Sequence, residues 1–134
     1  MFSNSSYIRI RYSETDQMGY CYYGNYAQFF EIGRVETLRE IGMPYRDLEE
    51  RGIMLPVLEL NVKYLKPARY DDLIEIRTIL KKIPTAKIEF DYELYNEENE
   101  LITTAYTSLV FISSKTMKPV QAPADLIEMI KAQV

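Results

Sequence analysis

The side chains best suited to chemistry lie in the polar stretch between Ser13 and Gly19. Two carboxylates, Glu14 and Asp16, stand two residues apart there. The chain has no histidine and one cysteine, Cys21, which excludes a Ser-His-Asp triad, a Cys-His pair and a histidine-ligated zinc site. Acid-base chemistry in this protein must therefore rely on carboxylates, lysine or tyrosine.

The composition of the whole chain narrows the functional class further. Its 134 residues carry 16 Lys and Arg against 20 Asp and Glu, a net charge of -4, which argues against a general nucleic-acid binder. One cysteine cannot form an intramolecular disulfide, which favours a reducing compartment. The sequence shows neither a signal-peptide pattern nor an apolar run long enough to span a membrane. We expect one cytoplasmic domain over residues 1–134.

The elements that must position these residues follow from hydrophobic periodicity and turn residues. The pattern predicts a strand over 7–12, a long helix over 25–41, a short helix over 45–51, strands over 58–65, 73–83, 86–95 and 101–112, and a closing helix over 123–131. Asn25 and Gln28 resemble a capping box, and Gly42 predicts the end of the long helix. Its apolar stripe is predicted at Tyr26, Phe29, Phe30, Ile32, Val35, Leu38 and Ile41.

The order of these elements predicts an α+β fold in which the last four strands form an antiparallel meander. The strand over 101–112 is apolar or small on both faces, so we expect it to be central. One helix cannot cover both faces of a five-stranded sheet. We therefore expect an exposed apolar face that meets another copy of the protein, and hence a homo-oligomer.

The stretch from Tyr12 to Tyr26 carries a recognisable motif. It has a Thr15-Asp16 pair, Gly19 three residues on, and a Tyr23-Gly24-Asn25-Tyr26 segment that leads into the long helix. In this it resembles the hotdog-fold acyl-CoA thioesterases of the 4-hydroxybenzoyl-CoA thioesterase-like family. The segment from Tyr64 to Asp72 also resembles a part of that family. The resemblance implies a five-stranded antiparallel sheet wrapped around one central helix.

The resemblance also implies roles for individual residues. Asp16 matches the family's catalytic carboxylate, which acts as a nucleophile or as a general base. The backbone N–H of Tyr23, or alternatively of Gly24, matches the donor that polarises the thioester oxygen. Many relatives carry histidine where this chain has Tyr23, which puts an imidazole role in doubt and leaves the backbone role intact. A helix N-terminus can stabilise an oxyanion without a charged side chain.

Several further residues have two open interpretations. Glu14 either perturbs Asp16 or is a solvated loop charge, and Glu31 either orients the site or pairs with Arg34 one turn later. Cys21 is interpreted as a small buried hydrophobe rather than a nucleophile. Candidate substrate-binding residues are Gly19, Tyr22, Tyr26 and Glu31, together with Lys63, Lys66 and Arg69 for the phosphates of coenzyme A. The tyrosines could equally fill the core or an interface, and the basic residues could be ordinary solvated side chains.

The function predicted from these observations is hydrolysis of an acyl-CoA to a free acid and coenzyme A. No metal or prosthetic group is implied, and a dimer or a dimer-of-dimers tetramer is expected. An acyl-carrier-protein thioesterase and a non-catalytic acyl-thioester binding protein remain as alternatives. A hotdog dehydratase is disfavoured because its catalytic histidine has no counterpart in the chain.

Overall fold

A computed structural model describes all residues, 1–134. Its strands are β1 (Phe2–Arg9), β2 (Ile53–Met54), β3 (Val57–Tyr64), β4 (Leu73–Leu80), β5 (Lys87–Tyr95), β6 (Leu101–Val110) and β7 (Ile112–Ser113). Its helices are α1 (Tyr26–Ile41), α2 (Tyr45–Glu50) and α3 (Ala124–Lys131), with 3-10 turns at Tyr12–Glu14 and Tyr23–Asn25. None of the three α-helices combines the length and the apolar character that a membrane crossing requires.

Five strands form one antiparallel sheet in the order β1-β4-β5-β6-β3. The predicted α+β class with a five-stranded antiparallel sheet and one long helix is confirmed. The four-strand meander was wrong, since only β4, β5 and β6 follow one another as neighbours. The centre of the sheet is β5, whereas β6 lies one place from the β3 edge.

The connection between β3 and β4 explains this difference. The N–H groups of Leu65 and Lys66 donate to the Ile102 carbonyl on β6 at 2.8 and 3.0 Å. Five residues after Lys66, the N–H of Asp71 donates to the Ile10 carbonyl beyond β1 at 2.9 Å. Residues 65–72 therefore cross the end of the sheet instead of turning back as a hairpin, and β4 pairs with β1.

Helix α1 packs on the sheet through a face that differs slightly from the predicted stripe. Ile32 is 38% exposed and Val35 is half-buried, while Gly33, Arg34 and Thr37 are buried. The reason is close approach to β4, because a Cβ at Gly33 would lie 2.3 Å from the Oγ1 of Thr78. The helix ends as predicted at Gly42, whose φ is +117°. The predicted capping box is not formed, because the Asn25 side chain makes no cap hydrogen bond.

Strands β4 and β5 alternate between a buried inner face and a more exposed outer face that carries most of their charged side chains. On the outer face, Arg77 pairs with Glu75, Lys81 with Asp91, and Lys82 with Glu89. The predicted exposed apolar face is therefore absent from the outer side of β4 and β5. Exposed apolar side chains are instead concentrated along the edge strand β3 and just after it, at Val57, Leu58, Leu60, Tyr64 and Leu65.

Candidate active site

A cavity of about 280 Å³ lies between the loop after β1, the start of α1 and the end of β3. Asp16 and Lys66 are the only charged residues that line it. The rest of the wall is apolar or aromatic and includes Met18, Cys21, Tyr23, Tyr26, Tyr64 and Leu65. An apolar cavity with very few polar groups is typical of a small-molecule site.

The carboxylate of Asp16 is held by one of its two oxygens. Its Oδ1 accepts the N–H groups of Met18 at 2.9 Å and Tyr20 at 3.2 Å. The turn that presents these donors requires Gly19, whose φ is +83° and whose N–H donates to the Asp16 carbonyl at 3.0 Å. The Oδ2 atom has no hydrogen-bond partner in the chain. A carboxylate fixed in this way keeps one oxygen available to attack a carbonyl or to accept a proton.

Two free N–H donors stand at the start of the 3-10 turn that leads into α1. Neither the N–H of Tyr23 nor that of Gly24 has an acceptor in the chain. Tyr23 lines the cavity, whereas Gly24 does not. A Cβ on Gly24 would lie 2.6 Å from the Tyr22 ring, so that ring packs against Gly24, and Tyr22 also lies outside the cavity. Of the two residues with a free N–H, only Tyr23 therefore lines the cavity.

Three tyrosines form an aromatic wall beside these donors. The ring of Tyr64 meets the rings of Tyr26 and Tyr23 edge-on, with centroids 4.9 and 6.4 Å apart. The Tyr64 hydroxyl also donates to the Tyr23 carbonyl at 3.3 Å. Sequence reasoning missed this residue, since strand periodicity gives its face but not the element that it meets. Burial raises the pKa of Tyr26 to about 12, so its phenol is neutral at pH 7.

Cys21 lies in the cavity wall and is 5% exposed. Burial raises the pKa of its thiol to about 11. The thiolate, which is the nucleophilic form, is therefore scarce at pH 7. The prediction that Cys21 is a small buried residue is confirmed.

Glu14 is buried, which corrects the interpretation as a solvated loop charge. Its carboxylate accepts the N–H of Arg11 at 2.7 Å and the Arg11 guanidinium at 3.0 Å. Burial alone would raise the pKa of Glu14, but the hydrogen bonds and charge of Arg11 together outweigh it and lower that pKa. Glu14 therefore serves as an anchor for the loop that carries Asp16.

Comparison with known proteins identifies the family. Residues 10–133 match the family described as "Thioesterase-like superfamily". The chain belongs to this superfamily. The protein YneP of Bacillus subtilis is 34% identical over 114 residues, which are 85% of this chain and 83% of YneP. The acyl-CoA thioester hydrolase YbgC of Escherichia coli is 30% identical over 124 residues, 92% of each chain.

A solved structure agrees with both sequence relatives. A DHNA-CoA thioesterase from Staphylococcus aureus superposes with a TM-score of 0.94 at 36% identity, covering 98% of this chain and 91% of its own. These matches confirm the predicted hotdog fold and the predicted assignment to the thioesterases.

Glu31 and Arg34 of this thioesterase do not form the predicted ion pair. Glu31 is exposed on α1 and lies outside the cavity. Arg34 is 8% exposed, and its Nε atom has no hydrogen-bond acceptor. Its charge acts instead on Tyr92, where it opposes the increase in pKa that burial causes.

The predicted phosphate-binding residues are spread over three places in the thioesterase. Lys66 lines the cavity and pairs with Glu100. Arg69 stacks over the Tyr20 ring at 5.2 Å, outside the cavity, and Lys63 projects from the outer face of β3. No three Cys, Asp or Glu side chains come together in a way that could hold a metal ion.

Proposed function

We propose that this protein hydrolyses an acyl-CoA thioester to a free carboxylic acid and coenzyme A. The observation that carries the proposal is one apolar cavity lined both by Asp16, whose carboxylate keeps one oxygen free, and by Tyr23, whose backbone N–H has no acceptor in the chain. The relatives named as an acyl-CoA thioester hydrolase and a DHNA-CoA thioesterase support coenzyme A as the thiol.

The Tyr23 N–H polarises the thioester carbonyl and binds the oxyanion that forms when the carbonyl is attacked. This donor stands where the dipole of α1 presents its positive end, so it stabilises negative charge without a cationic side chain. Tyr23 contributes through its backbone. The absence of histidine from the chain therefore leaves this part of the reaction intact.

Asp16 acts in one of two ways. As a nucleophile, its free oxygen attacks the carbonyl carbon, the carbon–sulfur bond breaks, and the coenzyme A thiolate departs; water then hydrolyses the resulting mixed anhydride. As a general base, Asp16 takes a proton from a water molecule, which attacks the carbonyl and releases the same thiolate. Either path suits a histidine-free site, because a thiolate is a far weaker base than the amine or alkoxide that other hydrolases must protonate.

The remaining parts of the proposal concern binding, assembly and location. Lys66 is the cation available at the cavity, and its pairing with Glu100 at the exposed rim can be exchanged for a phosphate of coenzyme A. Apolar side chains along the β3 edge support a homo-oligomer, either a dimer or a tetramer of two dimers. A single buried, unpaired cysteine supports a location in the cytoplasm.

Release of coenzyme A, followed with a free-thiol reagent over short, long and aromatic acyl-CoAs, tests this function. The proposal predicts turnover of at least one of these substrates, and the preferred acyl group then defines the substrate class. Turnover of acyl-carrier-protein thioesters alone would replace coenzyme A by that carrier. Binding of acyl-CoAs without turnover of either thioester would show a non-catalytic binding protein and overturn the proposal.

A further inference from the structure

We infer that Asn25 is a positioning residue that holds the oxyanion donor in register with Asp16. This inference rests on the proposed function. Asp16 lies in the loop after β1, and Tyr23 begins the 3-10 turn before α1. The placement of one relative to the other therefore depends on the contacts that join this loop to this turn. A misplacement of about 1 Å in such a pair can reduce a rate by roughly a hundredfold.

The junction between the two segments is the carbonyl oxygen of Glu14. It accepts the side-chain Nδ2 of Asn25 at 2.7 Å and the backbone N–H of Tyr22 at 2.8 Å. Glu14 precedes Asp16 by two residues, and Asn25 follows Tyr23 by two. One carbonyl thus ties the turn that carries the donor to the loop that carries the carboxylate.

The Glu14 end of this junction is itself immobilised. The buried Glu14 carboxylate accepts the backbone N–H and the guanidinium of Arg11. Beyond it, the N–H of Asp16 donates to the Tyr20 carbonyl at 2.8 Å. The Asn25 amide is therefore anchored to a rigid point rather than to a mobile loop.

Asn25 also affects the Tyr23 N–H through a backbone hydrogen bond. Its own N–H donates to the Tyr22 carbonyl at 3.0 Å, and this carbonyl belongs to the same peptide group as the Tyr23 N–H. Accepting a hydrogen bond at the oxygen polarises that peptide group and strengthens its N–H as a donor. The hydrogen bond from the Asn25 side chain to the Glu14 carbonyl stabilises the 3-10 turn that contains this polarised peptide group.

Two substitutions separate positioning from a general loss of structure. Asn25→Ala removes the side-chain donor, and Asn25→Asp replaces it with a group of the same shape that donates only when protonated. Gln28→Ala, which removes an exposed amide from the first turn of α1, is the matched control. We expect Asn25→Ala to lower kcat about tenfold or more with KM changed less than about threefold, and Gln28→Ala to keep kcat within about twofold.

The pH profile gives a second readout. Protonation of the introduced carboxyl restores a donor toward the Glu14 carbonyl, so the activity of Asn25→Asp relative to Asn25→Ala should rise as the pH falls from 8 to 5. An effect on the free energy of unfolding alone would leave that ratio constant as long as both variants stay folded, which their urea midpoints at each pH check. Wild-type kcat in Asn25→Ala, or a constant ratio, would overturn the inference.

An NMR measurement decides the inference independently of turnover. In Asn25→Ala, and not in Gln28→Ala, we expect the amide resonances of Tyr23 and Gly24 to shift while those of β5 stay in place. Unshifted Tyr23 and Gly24 amides would contradict the positioning role. An inert wild-type protein would instead contradict the proposed function.

Discussion

The hydrogen bonds and the burial of each polar group at the candidate site indicate whether that group can take part in catalysis. Asp16 has one oxygen fixed by two N–H groups and one oxygen free, whereas Cys21 is a buried thiol whose pKa burial raises to about 11. The two residues line the same cavity, but the thiol of Cys21 is almost entirely in its unreactive, protonated form at pH 7.

Replacement of Cys21 should therefore have little effect on catalysis. We expect Cys21→Ala to keep kcat within about threefold of the wild type, and iodoacetamide to react slowly at pH 7 because the thiolate is scarce. Thiol-reagent kinetics and coenzyme A release check the two statements. A loss of more than about a hundredfold in kcat, with the fold intact, would make the thiol part of the mechanism.

Glu14 should contribute stability that depends on pH. Its pKa is lower in the folded protein than in the unfolded chain, so its contribution is present above the unfolded value of about 4.3 and disappears as the pH falls through the folded value. We expect Glu14→Gln to be less stable than the wild type at pH 7, with the difference shrinking below about pH 4. Urea unfolding at both pH values measures this.

The exposed Glu98, whose side chain accepts no hydrogen bond, supplies the control for that comparison. Glu98→Gln should have the same free energy of unfolding as the wild type at every pH. A difference between wild type and Glu14→Gln that does not change with pH would mean that the charge of Glu14 is irrelevant to its role.

The sequence motif could single out Asp16, Tyr23 and Gly24 as candidates, because these residues stand close together along the chain, and the structure places Asp16 and Tyr23 in one cavity. The motif did not reveal the tertiary partners that hold them. The bond from Asn25 to Glu14 joins residues 11 apart and the one from Tyr64 to Tyr23 joins residues 41 apart. Local periodicity carries no information about such contacts.

At the scale of elements, helix α1 and strand β4 approach so closely at Gly33 that little space is left for a side chain. Helix propensity alone would make Gly33→Ala stabilising by about 1 kcal/mol. A Cβ there would lie 2.3 Å from the Thr78 Oγ1 and 2.9 Å from the Ile76 Cγ2, and this crowding should cost about 1–3 kcal/mol. We expect a net loss of unfolding free energy in urea.

Glu40→Ala, on the exposed face of the same helix, is the control for Gly33→Ala. It should change the unfolding free energy by less than about 0.5 kcal/mol. A Gly33→Ala protein more stable than the wild type would show that the helix can move away from β4.

Most elements could be predicted from the sequence because their periodicities are clear. Helix α1 and strands β4 to β6 lie within a few residues of the predicted ranges. The predicted buried face of α1 was wrong at Ile32 and Val35. A hydrophobic pattern treats glycine as neutral, whereas close approach to β4 buries Gly33. Gly33 illustrates why packing decides the face of a helix.

At the scale of the whole molecule, strand order could not be predicted from local patterns. The crossing of residues 65–72 over the sheet end depends on bonds to Ile102 and Ile10, which become visible only when the sheet is assembled. The outer face of β4 and β5 was also misjudged, because charged residues there form ion pairs. One pair lies along β4, and two join the residues just after β4 to β5.

Assembly should depend on the β3 edge. Leu60 lies on the inner side of this strand, is 43% exposed and belongs to the apolar group along the edge. We expect the wild type to be a dimer or tetramer by light scattering after gel filtration, and Leu60→Glu to be a smaller species, because a buried unpaired charge is costly. Asn61→Glu, on the opposite side of β3, should assemble normally. A monomeric wild type would contradict the proposed assembly.

The catalytic role of Asp16 is the central claim, and coenzyme A release by Asp16→Asn tests it most directly. The substituted amide can still accept the Met18 and Tyr20 N–H groups through its oxygen, so the loop should keep its shape, but it is neither a base nor a nucleophile. We expect kcat to fall by about a hundredfold or more with the urea midpoint unchanged, while Asp47→Asn on exposed α2 stays at the wild-type rate. Activity of Asp16→Asn within a few-fold of the wild type would contradict the account.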